Sequence, residues 1–473
     1  MDQHLIEAEL NRGLAGLNLP ELGPVYRGKV RDCFVVGDRR VLVATDRISA
    51  FDRVFDELIP FKGQVLNQLA AFFMRQVEDL VPTHLMAIPD PAVTVAREAQ
   101  ALPVEFIVRG YLTGSAWRDY QAGRFTALYG IALPEGLTEH APLPEAIVTP
   151  TTKAAEGHDQ PLTHAQAAEL IGSTERWQQL VDLALKLYRR GVDHARSRGL
   201  ILVDTKYEFG LIGETIMLID EVHTPDSSRY WYADAYAADP AHPRQLSKEF
   251  LREWLRERGF TGEGPLPVLD DEIRIEVATR YIALYKALTG QEFVPSLENP
   301  PGARIVTALK AAGFLRGGVV AIIMGSASDQ AHADKIRRVL DRFGVPSRLH
   351  VASAHKVPEK LMGLIDAYNH SSQPIVYITI AGRSNGLSGV TAGSAIHPVI
   401  ACPPFKDHGD YQVNVHSSLQ MPSDTPVVTV LDPANAALAA VRMLALNDPT
   451  LLERMRDHLH SVKSSFDEVL HLA

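Results

Sequence analysis

Five short apolar runs in the last third of the chain constrain the fold more than any other feature of the sequence. They are "GVVAIIMG", "SRLHVAS", "PIVYITIAG", "HPVIACPP" and "TPVVTVLD", which lie between residues 318 and 432. Nearly continuous apolar strands are typical of a parallel sheet that is buried on both faces. Helical segments such as "DKIRRVLDRFG" and "NAALAAVRMLAL" alternate with the runs. We therefore predict an α/β domain with a doubly wound parallel sheet.

The chain before these runs has a different pattern, because its predicted strands come as hairpins. "KVRDCFVV" and "RVLVATD" flank the turn residues Gly37 and Asp38, and "LILVDTKYEFG" and "ETIMLIDEV" flank a turn that ends at Gly213. Helical patterns such as "GQVLNQLAAFFMRQV" and "DEIRIEVATRYIALYKALTG" lie between and after the hairpins. This mixture predicts an α+β arrangement.

A stretch rich in proline and glycine, "QEFVPSLENPPGARIVTAL", marks the junction between the two patterns. A chain of 473 residues is also too long for one typical hydrophobic core. We therefore predict an N-terminal domain over residues 1–294, a linker over residues 295–317 and a C-terminal domain over residues 318–473.

Composition limits the environment and the partners. The chain has 47 Lys and Arg against 57 Asp and Glu, a net charge of −10 that argues against a nucleic-acid partner. Its two cysteines, Cys33 and Cys402, are far apart and predict neither a disulfide framework nor a zinc site. The first residues do not resemble a signal peptide, and no apolar run reaches the roughly 18–20 residues that span a bilayer. We expect a cytoplasmic protein with no membrane partner.

Three of the predicted C-terminal strands end in polar loops: "MGSASDQ", "VASAHKVPEK" and "YITIAGRSNGLSG". The candidate site residues in these loops are Ser326, Ser328, Asp329, Ser353, His355, Lys356, Arg383, Ser384 and Asn385. Each loop taken alone is also explained by a helix N-cap or a structural histidine. In a doubly wound sheet, however, ligands bind outside the carboxyl ends of the strands. Their convergence at one edge, with His355 in the second loop as a candidate for proton transfer, predicts a functional site.

In the N-terminal part, "VDTKYEFG" puts alternate polar residues on a strand. Residues two apart share a face of a strand, so Asp204, Lys206 and Glu208 project together. The following hairpin strand ends in Asp220 and Glu221, which return beside them. Carboxylates clustered round one lysine repel unless a cation joins them, and Mg²⁺ shared with nucleotide phosphates is the usual solution. A solvated face with salt bridges is the alternative that spacing alone leaves open.

Longer motifs carry a family resemblance. In order, "GKVRD", "ATDRISAFD", "VRGYLTGSAW", "TPTTKAAEGHD", "DTKYEFG" and "DEVHTPDSSRYW" resemble the succinocarboxamide (SAICAR) synthetase family over roughly Leu14 to Leu288. The resemblance implies an α+β domain with an ATP-grasp-like nucleotide cleft. It also implies a ligase that joins carboxyaminoimidazole ribonucleotide (CAIR) to L-aspartate with ATP and Mg²⁺, giving SAICAR, ADP and phosphate.

Motif positions then imply roles for individual residues. Lys29 and Arg31 would meet ATP phosphates and Lys153 the nucleotide, while Glu208 and Asp220 would hold Mg²⁺. The residues implied for CAIR and aspartate are Asp46, Ser49, Arg109, Ser115, Asp204, Lys206 and Arg229, of which Asp204 and Lys206 are the predicted catalytic pair. Arginine suits planar, bidentate recognition of carboxylate or phosphate.

The C-terminal loops carry a second resemblance. "GSASD", "SAHK" and "AGRSNGL", over about Val319 to Leu470, resemble the aminoimidazole ribonucleotide carboxylase family, which implies a flavodoxin-like fold. This family has a mutase form, which starts from the N-carboxylated substrate, and a form that uses CO₂. The mutase typically has His in the third loop and Arg after the loop-two His. Here Gly386 and Lys356 stand at those positions, and both resemble the CO₂-using form.

This resemblance implies modest chemistry, because the aminoimidazole C4 is nucleophilic enough to attack CO₂ without biotin or ATP. His355 would transfer the C4 proton. The residues implied for the ribose and its phosphate are Ser326, Ser328, Asp329, Ser353 and Lys356, and those for the CO₂ side are Arg383, Ser384 and Asn385. The family also implies a homo-oligomer, an octamer formed through this domain.

Taken together, the resemblances imply a bifunctional enzyme of purine biosynthesis. The C-terminal domain would carboxylate aminoimidazole ribonucleotide to CAIR, and the N-terminal domain would consume the CAIR. Two alternatives remain for the C-terminal domain: a mutase acting on the N-carboxylated substrate, or a non-catalytic oligomerisation module.

Overall fold

The computed structural model describes residues 3–153, 159–246, 248–298 and 300–470. The chain divides into two compact units. Unit 1 comprises Met1–Gly16 and Tyr26–Ile305, and unit 2 comprises Leu17–Val25 and Val306–Ala473. The stretch predicted as a linker contains a helix, Pro301–Ala311, and the division between the units falls inside this helix.

Unit 1 contains antiparallel sheets. Its strands are β1 Tyr26–Arg27, β2 Arg31–Val36, β3 Arg39–Ala44, β4 Arg47–Ala50, β5 Arg53–Leu58, β6 Leu85–Asp90, β7 Val93–Arg97, β8 Gln100–Tyr111, β9 Pro142–Thr152, β10 Leu200–Ile212, β11 Thr215–Ile219 and β12 Ser228–Tyr232. One sheet has the order β1-β2-β3-β7-β6, and a second has the order β11-β10-β8-β9 with β12 also beside β10. Strands β4 and β5 form a separate hairpin. The β2–β3 and β10–β11 hairpins confirm the sequence prediction.

Helices lie around these sheets. They are α1 Gln3–Ala8, α2 Lys62–Gln76, α3 Gly114–Gln121, α4 Phe125–Tyr129, α5 His164–Ile171, α6 Thr174–Ser197, α7 Ala233–Ala238, α8 Glu249–Glu257 and α9 Asp271–Thr289, followed by α10 Pro301–Ala311 at the division. The Ser173 hydroxyl caps α6 by accepting a hydrogen bond from Arg176 N at 3.1 Å. Helix α9 ends at Gly290, as predicted, in the left-handed conformation that glycine adopts readily.

Strand β10 has a polar face and an apolar face, as its alternating sequence predicts. Tyr207 and Phe209 are fully buried in the core. The Phe209 ring meets Phe106 of β8 edge-on at 5.0 Å, and Phe106 stacks on Trp177 of α6 at 5.1 Å. Burial of each large apolar side chain stabilises the fold by roughly 1.5–3 kcal/mol. The core therefore fixes which face of β10 is left for polar residues.

On that polar face, the pairing of β10 brings distant residues into register. Asp204 lies opposite Arg109 of β8 and Arg229 of β12. Glu208 lies opposite Glu105 of β8. Because neighbouring strands lie about 4.8 Å apart, these side chains meet on one surface of the sheet.

Unit 2 is built on a parallel sheet. Its strands are β13 Val319–Met324, β14 Ser347–Val351, β15 Ile375–Ile380, β16 Val399–Ala401 and β17 Val428–Thr429, in the order β14-β13-β15-β16-β17. Its helices are α11 Gln330–Phe343, α12 Pro358–Asn369, α13 Gly386–Ser394, α14 His408–Leu419, α15 Pro433–Ala445 and α16 Pro449–Leu470. Every strand pair is parallel, and the spatial order is that of a flavodoxin-like sheet. The predicted α/β fold is confirmed.

Apolar clusters cover both faces of this sheet. Val320 and Ile322 of β13 belong to a cluster with residues of α11, α15 and α16. The alternate residues Val319 and Ala321 belong to another cluster with residues of α12 and α13. Burial on both faces explains why β13 is apolar without interruption. Among the helices of the described residues, none is both long and apolar enough to cross a membrane.

Candidate active sites

Two clefts adjoin on the polar face of β10 in unit 1. The first has a volume of about 350 Å³ and the second about 200 Å³. Lys206 lines both clefts, so it stands at their junction. The first cleft brings together all five residues predicted for nucleotide or metal: Lys29, Arg31, Lys153, Glu208 and Asp220.

Ion pairs organise the charges of the first cleft. The Lys206 ammonium donates to Glu208 at 2.5 Å and to Glu105 at 2.7 Å. Glu208 also accepts from Lys153. Burial by itself would raise the pKa of Glu208, but the positive charges of Lys206 and Lys153 outweigh it and lower that pKa. Glu208 is therefore ionised at neutral pH.

At the other side of this cleft, Arg31 holds the end of β11. Its guanidinium pairs with Asp220 and, at 2.7 Å, with Glu221. Asp220 has a positive φ of 65°, a conformation that Asp tolerates better than most residues. The sequence argument expected the carboxylates to surround one lysine. The structure corrects this, because the negative charges are balanced by Arg31 and Lys153 as well as by Lys206.

The carboxylates of the first cleft fit Mg²⁺ only together with a ligand. In the described ranges no group of three or more His, Cys, Asp or Glu side chains is arranged to hold a metal ion. Mg²⁺ in nucleotide sites is usually held by one or two carboxylates plus phosphate oxygens and water. Glu208 and Asp220 line one cleft with cations beside them, so the donor set fits that mode of binding.

Asp204 lies between two arginines in the second cleft. Its carboxylate accepts from Arg229 at 2.5 Å and from Arg109 at 3.3 Å. Arg109 also donates to Thr149 at 2.8 Å and to Ser115 at 3.4 Å, and these contacts hold its planar group in one orientation. The predicted residues Arg109, Ser115, Asp204, Lys206 and Arg229 all line this cleft.

Sequence reasoning missed several charged residues of the second cleft, which are Asp226, Lys248, Glu249 and Arg252. The Lys248 ammonium lies 3.1 Å from the Ser49 hydroxyl and 3.7 Å from Asp226. Asp226 is already paired with the buried Lys62 at 2.9 Å. Burial lowers the pKa of Lys248 to about 8, against the opposing effect of Asp226. Asp226 falls in the quoted motif "DEVHTPDSSRYW" and could have been found there, whereas no motif singled out Lys248.

Two predicted residues of unit 1, Ser49 and Asp46, do not line either cleft directly. Ser49 joins the second cleft through its contact with Lys248. Asp46 lines neither of the two clefts. Its carboxylate instead accepts from the backbone N–H groups of Leu14 at 2.7 Å and Gly63 at 2.9 Å. Residues 154–158 of the motif "TPTTKAAEGHD" lie outside the described residues.

In unit 2, the three polar loops follow β13, β14 and β15 at one edge of the sheet. The second and third loops meet closely. A Cβ atom placed on Gly386 would lie 2.9 Å from Cε1 and Nε2 of His355. Such a distance is too short for an ordinary contact. The absence of a side chain at position 386 therefore leaves the space that the His355 imidazole uses.

The first loop folds on itself. The Ser326 hydroxyl accepts from Ser328 N at 3.3 Å and from the Ser328 hydroxyl at 2.9 Å. Burial raises the pKa of Asp329, against the effect of the Lys406 ammonium, which sequence reasoning did not identify. Ser326 and Ser328 are exposed, as are His355 and Lys356 of the second loop, whereas Ser353 is half-buried.

The third loop is held from behind by α14. Arg383 has a positive φ of 61°, and its backbone N–H donates to Asn414 at 2.6 Å. Arg383 and Ser384 are exposed at the loop surface. Asn385 is different, because its side chain is buried and engaged. It accepts from Ser388 N at 3.1 Å as the cap of α13 and donates to Ser418 at 2.8 Å.

Comparisons with known proteins agree with this division of the chain. The family model of SAICAR synthetase matches residues 24–265, and that of AIR carboxylase matches residues 319–465. The phosphoribosylaminoimidazole-succinocarboxamide synthase of Cytophaga hutchinsonii is 50% identical over 294 residues, which cover 61% of this chain and 94% of that protein. The corresponding protein of Bacteroides thetaiotaomicron is 49% identical over 285 residues, covering 59% of this chain and 90% of that protein.

A solved structure is similar to the same part of the chain. The SAICAR synthase of Saccharomyces cerevisiae, complexed with SAICAR, is 34% identical. The similarity covers 60% of this chain and 100% of that chain, with a TM-score of 0.53. The α+β fold of unit 1 is therefore that of a known SAICAR synthase.

Proposed function

Because the chain belongs to the SAICAR synthetase family and carries an AIR carboxylase family domain, we propose that it catalyses two consecutive steps of purine biosynthesis. Unit 2 carboxylates aminoimidazole ribonucleotide with CO₂ to CAIR. Unit 1 then uses ATP to join CAIR to L-aspartate, giving SAICAR, ADP and phosphate. The observation that supports the second reaction best is the pair of adjoining clefts that meet at Lys206.

Two adjoining clefts suit this ligation because the CAIR carboxylate is a poor electrophile and must be activated. An oxygen of that carboxylate attacks the γ-phosphorus of ATP, and ADP leaves with the electrons of the broken P–O bond. The amine of aspartate then attacks the acyl phosphate, the amide bond forms, and phosphate leaves. Lys206 stands where the ligands of the two clefts would meet, so its charge stabilises the transferring phosphoryl oxygens.

In the first cleft, we assign Lys29, Arg31 and Lys153 to the phosphates and the nucleotide. Glu208 and Asp220 would hold Mg²⁺, which screens the charge of the phosphates when it is bound. The support for these roles is that all five side chains line one cleft with matched charges. Arg31 is paired with Asp220, and Lys153 is paired with Glu208. A bound nucleotide would break these ion pairs, and its phosphates would then pair with Arg31 and Lys153.

In the second cleft, Arg109 and Arg229 suit the carboxylate or phosphate of CAIR, and Asp204 fixes the orientation of both guanidinium groups. Ser115 offers a hydroxyl beside Arg109, and Ser49 offers one beside Lys248. Lys248 adds a positive charge near Asp226, whose own charge is already balanced by Lys62. The surplus charge favours an anionic group of the substrate at this end of the cleft.

For unit 2, the contact between His355 and position 386 supports the CO₂-using reaction. A second imidazole at position 386, the feature typical of the mutase, would require His355 to move. With glycine at position 386, His355 supplies the imidazole for proton transfer. C4 of the aminoimidazole attacks CO₂ and forms the C–C bond, and His355 then removes the C4 proton. Arg383 and Ser384 lie exposed beside this space and suit the new carboxylate.

We also propose that the protein is a homo-oligomer, an octamer formed through unit 2. The support is the match of unit 2 to the AIR carboxylase family, for which the sequence resemblance implies an octamer. An interface formed by unit 2 would have large exposed apolar side chains to bury, among them Ile396 (73% exposed), Leu419 (61%) and Leu446 (84%). Light scattering of the purified chain would measure the mass of the assembly, and a monomeric mass would contradict the proposal.

One experiment tests both reactions. The purified chain is incubated with aminoimidazole ribonucleotide, bicarbonate in equilibrium with CO₂, L-aspartate and Mg-ATP, and products are identified by mass spectrometry. We expect SAICAR from these inputs. The His355→Asn variant should form none, yet should form SAICAR when CAIR is supplied.

The alternatives predict other outcomes. If unit 2 is a mutase, the chain forms SAICAR from the N-carboxylated substrate or from CAIR, but not from aminoimidazole ribonucleotide and CO₂. If unit 2 is a non-catalytic module, the chain forms SAICAR from CAIR alone. Either result would contradict the CO₂-using assignment while leaving the ligase intact. Failure with CAIR, aspartate and Mg-ATP would contradict the proposed ligation itself.

A further inference from the structure

A short segment near the N-terminus belongs to the C-terminal unit. Leu17–Val25 is part of unit 2, although the residues on both sides of it, up to Gly16 and from Tyr26 onward, are part of unit 1. Neither the sequence motifs nor the predicted linker indicate that this segment belongs to unit 2. The contacts of the segment show how it is held.

Glu21 forms several hydrogen bonds with unit 2. Its carboxylate accepts from the backbone N–H of Arg316 at 2.8 Å and of Gly317 at 3.3 Å. It also accepts from the side-chain amide of Gln373 at 3.0 Å. The same Gln373 accepts from Glu21 N at 2.9 Å and donates to Gly317 O at 2.6 Å. Gln373 is 1% exposed and Glu21 is half-buried, so the network joins a buried side chain of unit 2 to the segment.

Further hydrogen bonds extend along the segment. Arg348 of β14 donates to the carbonyl of Pro20 at 3.1 Å and to that of Glu21 at 2.9 Å. Asn18 donates to the carbonyl of Ala367 at 2.9 Å, and its own carbonyl accepts from Ser372 N at 2.9 Å. The segment therefore contacts the ends of several elements of unit 2.

The apolar side chains of the segment itself are buried. Leu17 is 2% exposed, Leu19 is fully buried and Leu22 is 7% exposed. A peptide that only rested on a surface would not bury three leucines this completely. If the segment left unit 2, Arg316 N, Gly317 N and the Gln373 amide would lose the carboxylate that accepts from them.

The location separates this contact from the catalytic loops. Gly317 and Gln373 precede β13 and β15, so they lie at the amino-terminal edge of the parallel sheet. The loops with Ser326, His355 and Arg383 follow the carboxyl ends of the strands, at the opposite edge. The segment therefore does not form part of the catalytic site of unit 2.

We propose that the 17–25 segment is a necessary piece of the C-terminal fold, bound to a docking surface formed by Gly317, Arg348 and Gln373. The C-terminal unit is then completed by residues that precede the whole synthetase body in the chain. Glu21 and Gln373 are 352 positions apart, and Glu21 and Arg316 are 295 apart. The segment has this role whichever carboxylation reaction unit 2 catalyses.

Hydrogen exchange of the full-length chain tests the proposal. The variant is Glu21→Ala, and the matched control is Glu7→Ala, which changes an exposed glutamate of α1 whose carboxylate contacts its helix neighbours Gln3 at 3.0 Å and His4 at 3.4 Å. Loss of a charged acceptor for two backbone N–H groups should accelerate exchange at residues 316 and 317 by about tenfold. The control should leave exchange there unchanged.

A second readout uses activity after heating. In Glu21→Ala, the activity that forms CAIR should be lost several-fold faster during heating than in Glu7→Ala. The activity that forms SAICAR from supplied CAIR should be lost at the same rate in both variants. Unchanged exchange at residues 316 and 317 would overturn the proposal. So would an equal acceleration in peptides of β10, because the effect would then not belong to unit 2.

If Glu21→Ala does not fold, Glu21→Gln replaces it, since this variant keeps an acceptor and removes the charge. A smaller acceleration confined to the same amides supports the proposal. Exchange identical to that of the wild type contradicts it.

Discussion

The two candidate sites of this protein are built in opposite ways. The clefts of unit 1 are lined by buried, paired charges that come from strands far apart in sequence, such as Asp204 with Arg109 and Arg229. The loops of unit 2 carry small, mostly exposed side chains, and His355 has beside it a glycine rather than a charged partner. The difference agrees with the two proposed reactions, because a phosphoryl transfer needs charges placed in advance, whereas the proposed attack on CO₂ needs mainly orientation.

This difference predicts how each region responds to substitution. Loss of one charge in unit 1 should uncover another buried charge, so effects there should be large and chemically specific. In unit 2, added volume should matter more than altered charge, except at His355 itself.

The largest effect is expected from Lys206→Met. The substitution leaves Glu105 and Glu208 without their shared cation and removes the charge at the junction of the clefts. We expect kcat for SAICAR formation from CAIR to fall by about 10²–10³-fold. Steady-state kinetics with supplied CAIR measures this, and Lys206→Arg, which keeps the charge, should lose less. Equal losses in both variants would argue that shape rather than charge matters at this position.

Arg229→Lys should have a smaller effect on the same reaction. Lysine keeps the charge but cannot form the planar, two-point contact, so kcat/KM for CAIR should fall by about tenfold. Arg176→Lys is the control, because its ion pair with the exposed Glu214 lies outside both clefts. An effect of similar size in the control would remove the distinction between cleft and surface arginines.

Gly386→Ala tests the importance of volume in unit 2. The new methyl group would lie 2.9 Å from the His355 ring and displace it, so we expect CAIR formation from CO₂ to fall by about fivefold to tenfold. Gly389→Ala in the same helix is the matched control, since its Cβ would make only an ordinary 3.5 Å contact with Met421 Sδ. Carboxylation that survives in Gly386→Ala would contradict the proposed packing of His355.

The smallest expected effect is a pH dependence in the second cleft. Because burial lowers the pKa of Lys248 to about 8, the side chain is charged below pH 8 and loses its charge as the pH rises through that value. KM for CAIR should therefore increase by roughly threefold to tenfold between pH 7 and pH 9. Lys248→Arg keeps its charge over this range and should flatten the profile, whereas Lys186→Arg, outside the cleft, should leave it unchanged. A profile that Lys248→Arg does not alter would assign the titration to another group.

Much of this architecture could be predicted because it depends on local patterns. Alternation along "VDTKYEFG" correctly predicts one polar face for Asp204, Lys206 and Glu208, and the hairpin that returns Asp220 is present. The uninterrupted apolar runs correctly predict a parallel sheet. Periodicity and turn residues act over a few positions, so they can be read without knowledge of the fold.

The sequence by itself determined the two fold classes, the polar face of β10 and the three loops that end neighbouring strands. Only the tertiary structure decided which polar side chains meet: Glu105 with Lys206, Lys248 with Ser49, and Glu21 with Gln373. It also directed Asp46 to backbone N–H groups and Asn385 to a helix cap. The physical reason is range, because these partners lie on elements that are distant in the chain and come together only when sheets pair and cores pack.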